Sequence, residues 1–281
     1  MTKSTKGGTA AAERRDRFAE DGVVKVEGAV DAVTIDRLLD VADQELATPG
    51  AWVTDTNPGA VTDRLFTTRY LWPHNDTVRG AALDSGIAAV VGEVLGAGSL
   101  RFYFDHTLVK EPFTEAPTPW HQDIPYWPFL GRQIASAWVA LTEATVEQSG
   151  LEFIRGSHLW NAYYSPVSFT PRAERSTADW TSEFVGEEMP DIDADRDAHD
   201  IISFDVEPGD AIVFSAWIIH GAPGNAGTTR RVAFSTRWLG DDATWAPHPG
   251  SDPTISADEV DVEPGSYPDD DRHFPLAWSR P

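Results

Sequence analysis

The sequence predicts a mainly β chain, a sandwich or barrel with flanking helices, and three observations carry that reading. Short strand-like segments recur after residue 100, at 101–109, which alternates, and at 134–141, 151–154, 211–214 and 231–239. Glycine and proline turns separate them, as in sandwiches and barrels. Helical periodicity is confined to the first hundred residues.

Taken in order, residues 1–12 are small and polar and are expected to be disordered. Residues 22–28 alternate like a strand, and Asp31 caps a helical pattern through Ile35, Leu38, Leu39 and Leu46. This pair is expected to pack outside the main barrel. Residues 76–95 read as helical, broken near Ser85-Gly86 and ended by Gly96 and Gly98. Within 101–109, Phe102, Phe104, His106 and Leu108 share a face. Residues 163–200 lack strong periodicity and are expected to form a lid or insert. Residues 250–281 read as an acidic surface tail, and the 281 residues as one domain without internal repeat.

Composition narrows the function. With no cysteine, disulfides, thiolate metal sites and cysteine nucleophiles are excluded, so any metal is held by histidine and carboxylate. A net charge of −23 argues against nucleic acid and anionic membrane surfaces as partners. The surface charge favours a neutral or cationic small molecule, although its ordinary role is solubility. No apolar run approaches the roughly 18–20 residues of a membrane helix. The first 17 residues lack a signal-peptide core, so a cytoplasmic location is expected. The oligomeric state stays open.

The chemistry concentrates in Trp120-His121-Gln122-Asp123 and, far downstream, His220 followed by Arg231. Two histidines and a carboxylate in this order suit a non-haem Fe(II) oxygenase, which holds iron on one face and leaves positions open. On a strand, His121 and Asp123 point the same way while Gln122 points away. His220 is expected at the end of an apolar strand, 212–219. Arg231 shares a face with Ala233 and Ser235, leaving room for a 2-oxo acid whose carboxylate a guanidinium grips bidentately. Arg230 faces the other way. A second His-x-Asp, His74-Asn75-Asp76, precedes a helical pattern, so Asp76 is expected to be a cap rather than a ligand.

At these residues the chain resembles the phytanoyl-CoA dioxygenase family of Fe(II)- and 2-oxoglutarate-dependent oxygenases. The resemblance rests on the segments 121–129, 149–158 and 207–214, continuing to His220-Gly221 and Arg231, and spans roughly residues 20–240. It implies a double-stranded β-helix, a cupin-like jelly roll, with iron on His121, Asp123 and His220. It further implies Arg231, Gln122, Trp138 and Lys110 around the 2-oxoglutarate. Family members commonly carry a hydroxyl where this chain has Ala222, and Thr228 or Thr229 is the expected replacement. The family's reaction uses O2 and decarboxylates 2-oxoglutarate to succinate and CO2, with hydrogen abstraction from a substrate C–H bond. An intact Asp123 favours hydroxylation over halogenation. Tyr126, Trp127, Trp217 and Trp238 are the candidate substrate wall. The alternatives are cyclisation, desaturation or epoxidation by the same chemistry, or a non-catalytic jelly-roll binding protein.

Overall fold

The computed structural model describes residues 5–167 and 186–280. Helix α1 (Thr5–Asp21) leads into strand β1 (Val23–Val26), helix α2 (Ala32–Ala47), strands β2 (Val53–Asp55) and β3 (Leu65–Arg69), and helices α3 (Asp76–Leu83) and α4 (Ile87–Leu95). The barrel strands follow: β4 (Ser99–Lys110), β5 (Thr118–His121), β6 (Phe129–Leu130), β7 (Ile134–Ala140), β8 (Glu152–Ile154) and β9 (Ile201–Ser203). The last are β10 (Ala211–Ser215), β11 (His220–Ala222), β12 (Arg231–Leu239), β13 (Thr244–Trp245) and β14 (Leu276–Ser279).

Eight strands form a large antiparallel sheet in the order β1-β10-β7-β12-β4-β3-β2, with β14 also paired to β4. A four-stranded sheet, β5-β11-β8-β9, faces it. Trp138, Ile212, Phe214 and Ala233 of the large sheet pack with Phe153 and Ala222 of the small one, so the core lies between two layers. This is the jelly-roll double-stranded β-helix. The opposite face of the large sheet is covered by the helices, through Val24, Leu38, Val78, Val91 and Phe234. Among the described residues no helix is long and apolar enough to cross a membrane.

Local chemistry explains most elements. Asp31 caps α2 by accepting from the Thr34 amide at 3.0 Å. Helices α3 and α4 separate at Gly86 (φ 88°), and α4 ends at Gly96 (φ 66°), left-handed positions suited to glycine.

Four expectations are corrected. Of residues 1–12, those from Thr5 onward are helical; Ala10–Ala12 favour helix, and Phe18 buries its ring in the core. Residues 1–4 lie outside the described part. Strand β1 is no satellite but the edge strand of the large sheet, paired with β10, because Val23, Val24 and Val26 are all buried. The apolar run 212–219 breaks at Ser215, and His220 begins a strand of the other sheet. The acidic tail is built in: Phe274 is fully buried, β14 pairs β4, and Asp269 and Asp271 both pair with Arg101. These two acids, exposed themselves, neutralise one buried arginine. Of the 163–200 segment, 168–185 lies outside the described residues. Its later part docks on the small sheet, with Ile192 fully buried and Arg196 2.5 Å from Glu152.

Candidate metal centre

The ladder between β5 and β11 sets His121 directly opposite His220, with imidazole centroids 4.2 Å apart. Gly221 beside it is closely approached, since a Cβ there would stand 3.0 Å from the Thr118 carbonyl. Asp123 is not on the strand, as alternation would have it. The chain turns after His121, and Asp123 (φ −75°, ψ −37°) opens the short 3-10 turn Ile124–Tyr126. The Ile124 amide donates to the Ala216 carbonyl at 2.9 Å, tying this turn to the segment that delivers His220.

Ligand atoms of His121, Asp123 and His220 all lie within 4.8 Å of one another, the one cluster of at least three metal-ligating side chains among the described residues. Asp123 Oδ1 is 3.6 Å from His121 Nε2 and 3.9 Å from His220 Nε2. The other ring nitrogens are engaged: Nδ1 of His121 lies 2.8 Å from the Pro119 carbonyl, and Nδ1 of His220 lies 3.1 Å from the Ile218 carbonyl. A carbonyl only accepts, so each Nδ1 carries the proton and each Nε2 lone pair is left for a metal. Ser136 Oγ donates to Asp123 Oδ2 at 2.6 Å, which leaves Oδ1 as the inward oxygen. Two imidazoles and one carboxylate on one face fit Fe(II) with positions to spare.

Electrostatics agree with this arrangement. Burial alone would raise the Asp123 carboxyl, but Arg237, His121 and His220 together hold it well below the usual carboxylate range. Burial, then the neighbouring His121, lowers His220 to about 3, so its ring is neutral at physiological pH and ready to ligate.

Deeper in the barrel, Arg231 is buried with no carboxylate beside it. Its guanidinium reaches the Leu108 carbonyl at 3.4 Å and Ser149 Oγ at 3.3 Å, Nε has no partner, and it lies 5.7 Å from the Trp138 ring. Burial depresses it to about 10. Lys110 is its cross-strand partner, fully buried, with Nζ donating to the Pro223 carbonyl at 2.7 Å. Burial, then Arg231, pushes Lys110 well below its ordinary range. A buried guanidinium without a counterion, beside an amine driven toward its neutral form, costs on the order of several kcal/mol, a cost that a bound carboxylate offsets. Arg230 faces outward, paired with Glu111 and Asp43.

The other sequence candidates divide. Gln122 points away from the metal centre: Nε2 donates to the Ala162 and Trp217 carbonyls, and Oε1 accepts from the Tyr164 amide. The Tyr126 ring stands 5.9 Å from His121, and its hydroxyl exchanges hydrogen bonds with the Val167 backbone. Trp127 lies 5.6 Å from the Arg237 guanidinium. Trp217 is half-buried, under the Arg132 guanidinium at 4.4 Å. Trp238 is corrected to a core residue, fully buried against Phe102. His74 is exposed, and its helix is capped by Asn75, not Asp76. Thr228 and Thr229 are exposed and do not replace the hydroxyl missing at Ala222; Ser149 Oγ is the hydroxyl that stands beside Arg231.

Three residues escaped the sequence reading: Ser136, Ser149 and Arg237. Strand parity was the available signal for two of them. Ser136 is two residues from Trp138, Arg237 six from Arg231, and the two are register partners across β7 and β12. Ser149 sits in a turn at φ 64°, where no periodicity applies.

Comparisons with known proteins place the chain. The model of the phytanoyl-CoA dioxygenase (PhyH) family matches residues 18–233. A Caenorhabditis elegans protein named as a probable phytanoyl-CoA dioxygenase is 28% identical over 163 residues, covering 56% of this chain and 49% of that one, so the chain spans about half its length. The multifunctional dioxygenase prhA of Penicillium brasilianum is 26% identical over 226 residues, covering 76% of this chain and 67% of the relative. Among solved structures, the non-haem α-ketoglutarate-dependent epimerase SnoN of nogalamycin biosynthesis superposes with a TM-score of 0.71 at 23% identity, covering 96% of this chain and all of SnoN. That superposition bears on the fold; the family match, together with the ordered triad, shows that the chain belongs to the phytanoyl-CoA dioxygenase family of iron- and 2-oxoglutarate-dependent oxygenases.

Proposed function

We propose that this chain is an Fe(II)- and 2-oxoglutarate-dependent dioxygenase that hydroxylates an unactivated C–H bond of a small metabolite, releasing succinate and CO2. One observation carries the proposal: a three-ligand face with both histidine tautomers fixed stands in the same barrel as a buried arginine that lacks a carboxylate. A binding module needs neither.

His121, Asp123 and His220 would hold the iron, which with 2-oxoglutarate and O2 supplies the oxidant for hydrogen abstraction. The chain's own work is placement. Ser136 and the two backbone carbonyls orient the ligands, so little reorganisation accompanies loading. Arg231, with Lys110 and Ser149 beside it, would fix the far carboxylate of the co-substrate, and Trp138 would wall that end. Gln122 would support this by pinning residues 162–164 over the metal turn rather than by touching the co-substrate. Tyr126, Trp127 and Trp217, packed at or beside the turn, would be the substrate contacts.

A second outcome of the same chemistry is favoured by the breadth of similar proteins, which include an epimerase and a multifunctional dioxygenase. Incubation of purified protein with Fe(II), 2-oxoglutarate, O2 and fractionated metabolites tests the reading. Succinate release that rises with one fraction, with product heavier by one oxygen, is expected. Succinate release with product of unchanged mass or lighter by two hydrogens would replace hydroxylation by the second outcome, and no succinate under any condition would remove the enzyme reading.

A further inference from the structure

Beside Asp123 lies a group of buried polar atoms that neither the ligand set nor the co-substrate end uses. Arg237 is 7% exposed and makes one hydrogen bond with a protein partner, from its guanidinium to Ser235 Oγ. Its Nε has no partner and stands 3.7 Å from Asp123 Oδ2, too far for a hydrogen bond. A guanidinium has five N–H donors, and here the buried Nε–H has no acceptor in the protein. Next to it is His106, the cross-strand neighbour of Ser235, whose Nε2 is also buried without a partner. Leaving such groups buried and unmatched is unfavourable, which points to an acceptor from outside the chain.

The surroundings say what kind of acceptor. The Arg237 guanidinium lies 5.3 Å from the Phe104 ring and 5.6 Å from the Trp127 ring, and these rings meet edge to face at 6.1 Å. Flat apolar walls beside a guanidinium suit a planar framework. The charges nearby are committed elsewhere. Asp123 faces the metal position, and Asp105 accepts from the Leu71 and Trp72 amides. Asp252 faces Arg69, 3.3 Å away on the next strand. Burial, with Arg237 and Arg69 adding to it, holds His106 neutral, so it adds no charge but can share a hydrogen bond.

We propose that Arg237 and His106, beside the faces of Phe104 and Trp127, form a subsite for a negatively charged oxygen on a planar substrate, such as a carboxylate or phenolate. This rests on the oxygenase reading above and names its substrate class. It reverses the preference suggested by a net charge of −23, because the interior next to the metal holds unmatched donors while the acids there are paired.

The test uses protein loaded anaerobically with Fe(II) and 2-oxoglutarate, so that Arg231 is already occupied, and measures by calorimetry the Kd of three probes: 2-naphthoate, 2-naphthalenemethanol and 2-naphthalenemethylammonium. Naphthoate is expected to bind about tenfold tighter than the alcohol, with the ammonium weakest. Arg237→Gln should abolish that preference, Arg237→Lys should keep part of it, and His106→Phe should weaken it independently. Equal affinities, or the ammonium binding best, would overturn the proposal. So would a folded Arg237→Gln that keeps the full preference, or one that weakens 2-oxoglutarate instead, which would assign the oxygen to the co-substrate. The Fe(II)–2-oxoglutarate absorption band, recorded first in the same sample, separates the two levels. Its absence counts against the oxygenase reading, and its presence without anion preference counts against the subsite alone.

Discussion

Arg231 and Arg237 lie six residues apart on one strand, both buried and each within 6 Å of a tryptophan ring, yet they are opposites electrostatically. Arg231 has no carboxylate beside it, and with burial it pushes its neighbour Lys110 toward the neutral form. Burial lowers Arg237 too, but Asp123 and Asp105 pull it back. The difference teaches where external charge belongs. At Arg231 the fold leaves positive charge without any carboxylate beside it; at Arg237 nearby aspartates offset the charge only in part, and unmatched N–H capacity remains. On the proposed function, one strand would serve the co-substrate at one end and the metal ligand and substrate at the other.

The largest effect that sharpens this comparison comes from the triad between the two ends. His121→Ala should abolish succinate formation and Fe(II) binding, while His74→Ala leaves both intact; the reverse would mean that the wrong His-x-Asp pair had been chosen. Next, Arg231→Ala should raise the KM for 2-oxoglutarate by about 10- to 100-fold, the worth of a charge-assisted bidentate contact. Fe(II) affinity measured by competition with a chelator should not move, and a parallel loss of iron would break the separation of the two ends. Ser136→Ala should act the other way, weakening Fe(II) binding by about tenfold with little change in 2-oxoglutarate affinity once iron is saturating. A smaller effect is expected for Gln122→Ala. Removing its three backbone contacts should cost about 1–3 kcal/mol of stability in thermal melts and speed proteolysis near residues 162–167, without changing 2-oxoglutarate affinity. A rise in that KM alone would restore Gln122 to the co-substrate.

Much of this was legible in the sequence, for reasons that differ by region. The triad could be read because motif order survives folding, and the helices at 32–47 and 76–95 because periodicity and caps are local. The C-terminal segment could not. Its aspartates look like a solvated tail until Arg69 and Arg101, distant in sequence, are brought alongside Asp252, Asp269 and Asp271. The route to Asp123 was also hidden, since His-x-Asp is compatible with a pleat and with a turn, and the tie from Ile124 to Ala216 decides for the turn. Ser149 was out of reach because its place beside Arg231 comes from a turn at positive φ. Trp238 shows the opposite failure: aromatic content near the site suggested a cavity wall, and packing made it core.

The most direct measurement is an anaerobic titration of the apo-protein with Fe(II) and 2-oxoglutarate, following the visible metal-to-ligand charge-transfer absorption in wild type and in Arg231→Ala. A band that requires both components, and that in the variant appears only at much higher 2-oxoglutarate, is the predicted result. Folded, iron-loaded wild type that shows no band, or a variant that titrates like wild type, would contradict the assignment of the triad and the uncompensated arginine to one oxygenase site.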